Sequence, residues 1–162
     1  MESVFPEPNH DHGACVDDAL SLAERLCAER GARFTPLRRE VLSLIWSSHK
    51  PVGAYDILAM MNEEGTGNAA PMTVYRAIDF LMENGLVHRI ASRNAYVGCA
   101  HPEARHSGQF LICRECGRVA EIEEAAIADA LSEGAARAGF DVTTPVVEVE
   151  GDCQDCRGGK HD

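Results

Sequence analysis

Seven cysteines stand in this chain, and four of them form two Cys-x-x-Cys pairs, Cys113 with Cys116 and Cys153 with Cys156. Such a pair is either a redox dithiol or half of a tetrahedral metal site. A redox pair is expected at a helix start after a strand. Here the first pair follows the strand-like run GQFLI, and Gly117 comes straight after Cys116. That is a tight turn able to point two sulfurs at one ion. Four thiolates match the preference of zinc for four soft ligands. The spacing therefore points to one structural zinc site, ahead of a redox pair or four unconnected buried thiols. Cys15, Cys27 and Cys99 are left over.

The thiols need a compartment that keeps them reduced. The chain opens MESVFPEPNH, without the basic start and apolar run of a secretory signal. No stretch approaches the roughly 18 apolar residues of a membrane span. The expectation is a cytoplasmic protein with no membrane partner. At 162 residues and 45% hydrophobic content, the chain suits one or two small domains with a real core.

The first half reads as helices. Residues 1–15 are polar and turn-rich and are expected to form a flexible arm, with His10 and His12 solvated, as is His161 at the other end. Residues 16–30 place Val16, Ala19, Leu20, Ala23 and Leu26 on one stripe, closed by Gly31. Thr35-Pro36 is a cap followed by proline at the first helical position. The stripe behind it is Leu37, Val41, Leu44 and Ile45. A short third helix turns Ala54, Ile57, Leu58 and Met61 inward, and EEGTGNAAP is a loop. In PMTVYRAIDFLMENG the residues Val74, Ala77, Ile78, Leu81 and Met82 recur at helical spacing. Arg76 falls almost opposite their centre, with Met72, Thr73, Asp79 and Phe80 flanking. LVHRIAS and AYVGC then read as a hairpin turning at Arg93-Asn94. Helices followed by a two-stranded wing make a winged helix-turn-helix, whose last helix enters the DNA major groove.

After Cys99 the character changes. Strands GQFLIC and RVAEIEE precede a helix near 124–138, with Ile127, Leu131, Gly134, Ala135 and Ala138 on one side. A further strand, DVTTPVVEVEG, leads to the second cysteine pair. The fold class is α+β: a winged helix-turn-helix over residues 1–98, then a small α/β dimerisation domain over 99–162. Alone, the second piece buries little surface, so zinc and a partner subunit are expected to complete it as a homodimer.

The net charge of −11 argues against a nucleic-acid partner, which calls for a basic footprint. Its distribution answers the objection. Most of the acidic excess lies after residue 100, whereas residues 30–50 carry Arg30, Arg33, Arg38, Arg39 and Lys50 against Glu40 alone. The wing adds Arg89 and Arg93. A locally basic face on an acidic body can still hold phosphates.

RFTPLRREVLSLI, GAYDILAMM, TVYRAIDFLMENGLVHRI, FLICRECG and VEGDCQDC follow one another here in the order found in the ferric uptake regulator family. The chain resembles that family from about residue 16 to 157, and most resembles its zinc-sensing members. The resemblance implies a dimeric repressor of zinc acquisition genes that binds palindromic operator DNA when zinc fills a regulatory site. Two positions depart from the pattern: Leu37 where many relatives have Gln, and Glu150 where they often have His.

The resemblance also implies the ligands of that regulatory zinc: His88, Cys99, His106 and Glu121. Two imidazoles, a thiolate and a carboxylate suit four-coordinate zinc, and the thiolate disfavours iron or manganese. His101 is a competing donor. The total would be about two zinc ions per chain. Arg76 would bond guanine or phosphate, with Thr73, Tyr55 and Tyr75 beside it on the backbone or thymine methyls. Other readings are an iron- or peroxide-responsive regulator of the same family, a zinc buffer or thiol redox protein without a DNA target, and a metal-dependent hydrolase. PEARHSGQ is poor in the His and Asp donors an iron or peroxide sensor places before its first cysteine pair. No nucleophile–base pair or substrate loop favours an enzyme or a small organic substrate.

Overall fold

The computed structural model describes residues 4–7, 10–63 and 69–159. His161 and part of the expected 63–71 loop lie outside them. The chain divides into two compact units between Glu103 and Ala104.

The unit Pro6–Glu103 is built on four helices. The first, α1 (His12–Glu29), starts earlier than its apolar stripe. Asp11 is the reason: its carboxylate accepts from the amides of Gly13 at 2.9 Å and Ala14 at 3.4 Å, so the end of the expected arm is helical. In α2 (Pro36–Trp46), the Thr35 hydroxyl accepts from the Arg38 amide at 3.4 Å, as the Thr-Pro signal predicts. Leu20, Ala23, Leu26 and Cys27 of α1 are buried, as are Val41, Leu42, Leu44 and Ile45 of α2. Leu37 is only half-buried. Leu42 joins the core because α1, α3 (Ala54–Glu63), α4 (Pro71–Glu83) and the hairpin all pack on α2. The predicted stripe of α4 is buried at Val74, Ala77, Ile78 and Leu81. Each of the buried valine, isoleucine and leucine side chains contributes about 1.5–3 kcal/mol relative to exposure, and an alanine methyl less.

Gly85 ends α4 at φ 68°, donating to the Met82 carbonyl at 3.0 Å, while the Leu86 amide reaches back to Leu81 at 2.9 Å. The chain then enters the hairpin of β1 (Val87–Ile90) and β2 (Ala95–Gly98). A single 3-10 turn over Ala91–Arg93 joins them, with Asn94 left-handed at φ 46°. Val52 and Tyr96 exchange two backbone hydrogen bonds of 2.9 Å, tying the segment before α3 to the wing.

The second unit, from Ala104 onward, is a three-stranded sheet in the order β4-β3-β5. Its central strand β3 (Gly108–Cys113) pairs antiparallel with β4 (Val119–Ile122) and parallel with β5 (Val146–Gly151). Gln109 is buried and fully used: its amide nitrogen donates to the Glu124 carbonyl at 3.0 Å, and its oxygen accepts from the Glu124 amide at 3.1 Å. That exchange fixes the start of α5 (Ala125–Arg137), which has no buried residue. Leu131, Phe140, Val146 and Val149 stand exposed. The short helix α6 (Gln154–Arg157) was not legible in the sequence. Among the described residues no helix is long and apolar enough to cross a membrane.

Candidate metal centres and nucleic-acid face

Sheet register assembles the four-cysteine cluster. Cys113 is the last residue of β3 and lies level with Gly151 of β5, and the Arg114 amide donates to the Gly151 carbonyl at 2.9 Å. Cys116 sits in the following turn, where Gly117 takes φ 75° and donates to the Cys113 carbonyl at 2.9 Å. Just past β5, Cys153 caps α6 and Cys156 lies within it. The Sγ–Sγ separations are 3.3 Å for Cys153 and Cys156, 3.5 Å for Cys113 and Cys156, and 3.9 Å for Cys116 and Cys153. Tetrahedral zinc with bonds of about 2.3 Å sets its sulfurs about 3.75 Å apart. All four are free thiols, and their spacing fits that ion.

Local electrostatics prepare the cluster. Burial pushes the Cys113 thiol up, but the amides of Cys116, Cys153 and Glu115 outweigh it and hold it down to about 6. Cys116 is also lowered: burial opposes this, and the Arg118 guanidinium prevails. Cys156 is raised, first by burial and then by its cysteine neighbours. So one thiol keeps its proton where others give theirs up, until a cation arrives.

Arg118 is the residue that sequence reasoning missed. It is buried, with Nε 3.3 Å from Cys116 Sγ and a terminal nitrogen 3.5 Å from Cys153 Sγ. Asp155 accepts from it at 2.6 Å. Four thiolates on a divalent ion leave two negative charges, and Arg118 offsets one of them. The available signal was a cation directly after Gly117.

The other four proposed ligands lie as two pairs, one in each unit. In the first unit His88 stands opposite Val97 across the hairpin, and Cys99 is two residues beyond Val97. That offset puts both on one face as diagonal neighbours. Cys99 is buried, and its amide donates to the Leu86 carbonyl at 3.0 Å. In the second unit His106 Nδ1 donates to the Ala104 carbonyl at 2.9 Å, while Nε2 faces the Glu121 carboxylate on β4. Burial lowers the His106 pKa, but the Ala104 carbonyl and then Glu121 outweigh it and leave it above 6.5. His101 is exposed. Cys27 is buried, and burial pushes its thiol up, as suits an unligated core residue.

The exposed side of α4 carries Met72, Thr73, Arg76 and Asp79. Beside it, on α3, Tyr55 is 72% exposed and meets the ring of Tyr75 edge-on at 6.5 Å. The basic stretch behind this face is partly engaged inside the unit. Arg38 lies 3.6 Å over the Phe80 ring, Arg39 pairs with Glu24, and Arg30 donates to the carbonyls of Asn84 and Pro102. Arg33 and Lys50 are exposed.

His10 and His12 depart from expectation. They are not solvated in a loose tail but gather with His49 into one cluster. The cap at Asp11 sets where α1 begins, between His10 and His12, and His10 Nε2 lies 2.7 Å from Nε2 of His49, which follows α2.

The model of the ferric uptake regulator family matches residues 29–150. The zinc uptake regulation protein of Escherichia coli strain K12 is 39% identical over 142 residues, which cover 87% of this chain and 82% of that one. A solved zinc uptake regulator, complexed with zinc and DNA, superposes with a TM-score of 0.83 at 38% identity, over 90% of this chain and 97% of that one. Holo XcZur superposes with a TM-score of 0.79 at 44% identity, over 86% and 96%.

Proposed function

The chain belongs to the ferric uptake regulator family, and from that premise we propose that it is a zinc-responsive repressor of zinc uptake genes. One observation carries the reading. A chain with both a four-thiolate cluster and an exposed helix face bearing Arg76 is similar, along 90% of its length, to a regulator solved with zinc and DNA together.

Cys113, Cys116, Cys153 and Cys156 hold a structural zinc that fastens the end of the chain to β3. His88, Cys99, His106 and Glu121 hold the regulatory zinc, giving about two ions per chain. His88 and Cys99 belong to the winged unit, His106 and Glu121 to the unit that begins at Ala104. All four can bind one ion only in one arrangement of the two units, so zinc selects that arrangement from an ensemble.

The second unit dimerises through the apolar groups it leaves exposed, Leu131 and Phe140 with Val146 and Val149 of β5. In the dimer, the selected arrangement sets the distance between two α4 helices. Half-sites one turn apart need about 34–36 Å. Arg76 then reads guanine or phosphate, while Thr73, Tyr55 and Tyr75 position the helix on the backbone. The protein acts in the cytoplasm, where its operator lies, as a binding module without a catalytic step.

A gel shift against buffered free zinc tests the proposal. Palindromic operator DNA from a zinc uptake promoter is expected to shift only above a threshold of free zinc, with random DNA unshifted. Equal affinity with and without zinc would sink it.

A further inference from the structure

We infer that His10, His12 and His49 form a third metal site, one that takes a single divalent first-row transition metal ion. Each residue offers one ring nitrogen, and the three nitrogens lie within 4.8 Å of one another. His10 and His12 flank the cap of α1, and His49 lies between α2 and Val52. None of the three belongs to the proposed structural or regulatory zinc sites.

The hydrogen bonds orient the cluster for coordination. His10 Nδ1 lies 2.6 Å from the Glu7 carbonyl oxygen, which can only accept. Nδ1 therefore carries the proton, and in the neutral ring the Nε2 lone pair points inward. A backbone carbonyl on the far nitrogen is the usual way a metal-binding histidine is oriented. His10 Nε2 meets His49 Nε2 at 2.7 Å. Ligands about 2.0–2.1 Å from a tetrahedral ion stand about 3.3–3.4 Å apart, so the rings need to separate only slightly. His12 supplies the second observation. Its Nδ1 is shut off from solvent and has no hydrogen-bond partner among the described residues. A buried polar atom of that kind calls for a ligand.

The rings converge rather than stack. Their centroids lie 4.4, 4.6 and 5.0 Å apart, and their planes tilt by 37° to 48°. Three imidazoles leave a fourth position open to water and suit zinc, nickel or copper more than magnesium or calcium. The positive end of α1 opposes a cation here, and the Asp11 carboxylate offsets it. Without a thiolate, this site fills after the cysteine-bearing ones. When filled, it pins the start of α1 to the segment that ties into the wing through Val52 and Tyr96.

The test uses the full-length protein with its tightly held zinc in place. Equilibrium dialysis against rising free zinc, with metal content read by mass spectrometry, is expected to show one further equivalent per chain. His49→Gln and the double variant His10→Gln/His12→Gln are each expected to lose that equivalent and keep the earlier ones. His101→Gln and His161→Gln are expected to keep it. Retention of the equivalent in either cluster variant overturns the inference, as does saturation of the unaltered protein without it. A second measurement needs no substitution. Added zinc is expected to slow diethyl pyrocarbonate modification of His10, His12 and His49 several-fold, leaving His161 unprotected. Equal modification of the three with and without zinc overturns the inference.

Discussion

A Cβ placed on Gly98 would lie 2.2 Å from Nε1 and Cε2 of the Trp46 indole. The last residue of α2 thus rests directly on the last residue of β2, and only glycine permits that approach. Cys99 follows immediately. Gly98→Ala is therefore expected to cost about 1–3 kcal/mol of stability, the usual range for overpacking. It should also weaken regulatory zinc, because Trp46 or the strand that delivers Cys99 must move. Thermal melts and a zinc titration measure the two effects. An unchanged melting temperature would show that the indole yields freely.

Cys113→Ser removes one sulfur from the four-cysteine cluster. The remaining thiolates lose their ion, and α6 loses its attachment to β3. The variant is expected to lose structural zinc and to dissociate or aggregate in sedimentation. A folded, fully dimeric Cys113→Ser protein contradicts the fastening role.

Arg76 is exposed on the outer side of α4, away from the core. Arg76→Ala is expected to leave the melting temperature nearly unchanged while operator binding falls by about 1–3 kcal/mol. Fluorescence anisotropy at saturating zinc checks this. Unaltered affinity would remove α4 from the DNA interface.

Cys99→Ser separates a zinc sensor from a protein that is merely zinc-stapled. The hydroxyl is a weaker donor, and the preference relaxes toward harder ions. The variant is expected to fold, to dimerise and to retain about one zinc per chain in the four-cysteine site. It should nevertheless need far more free zinc to bind its operator. A titration matching the unaltered protein would make Cys99 a bystander, and His101 the next donor to examine.

His106 gives the response to pH. In the metal-free protein its pKa stands above 6.5, because the Ala104 carbonyl and the Glu121 carboxylate outweigh burial. The imidazolium's contribution to metal-free stability is full below 6.5 and is lost as pH rises through the raised value. Zinc must displace the Nε2 proton. Affinity at the regulatory site is therefore expected to climb with pH through that same range. An NMR titration of the metal-free protein locates the raised value, and zinc competition at several pH values tests the climb. An imidazole titrating below 6.5 contradicts it.

Periodicity made the first unit legible. The α4 stripe at Val74, Ala77, Ile78 and Leu81 is buried as spaced, and the Thr35-Pro36 cap sits where its chemistry requires. Leu42 shows the limit. A stripe marks the apolar face of a helix, not how many neighbours cover it, and α2 is covered by four elements. The stripe on α5 likewise marks an apolar face, yet no residue of that helix is buried within the chain. The thiol pairs were legible because ligand spacing is local. Arg118 and the histidine cluster were not. His10 meets His49 across 39 positions, and no repeat in the sequence encodes that proximity.

The sheet order β4-β3-β5 bears on how the protein is made. β3 leaves the ribosome long before β5, its parallel partner, and Cys113 and Cys116 emerge without Cys153 and Cys156. The winged unit is complete by then and folds first, as N-terminal units do during synthesis. The second unit stays open until the last residues arrive. A chain cut short before Val146 keeps α4 but has only two of the four cluster thiols, no β5 pairing and no way to close.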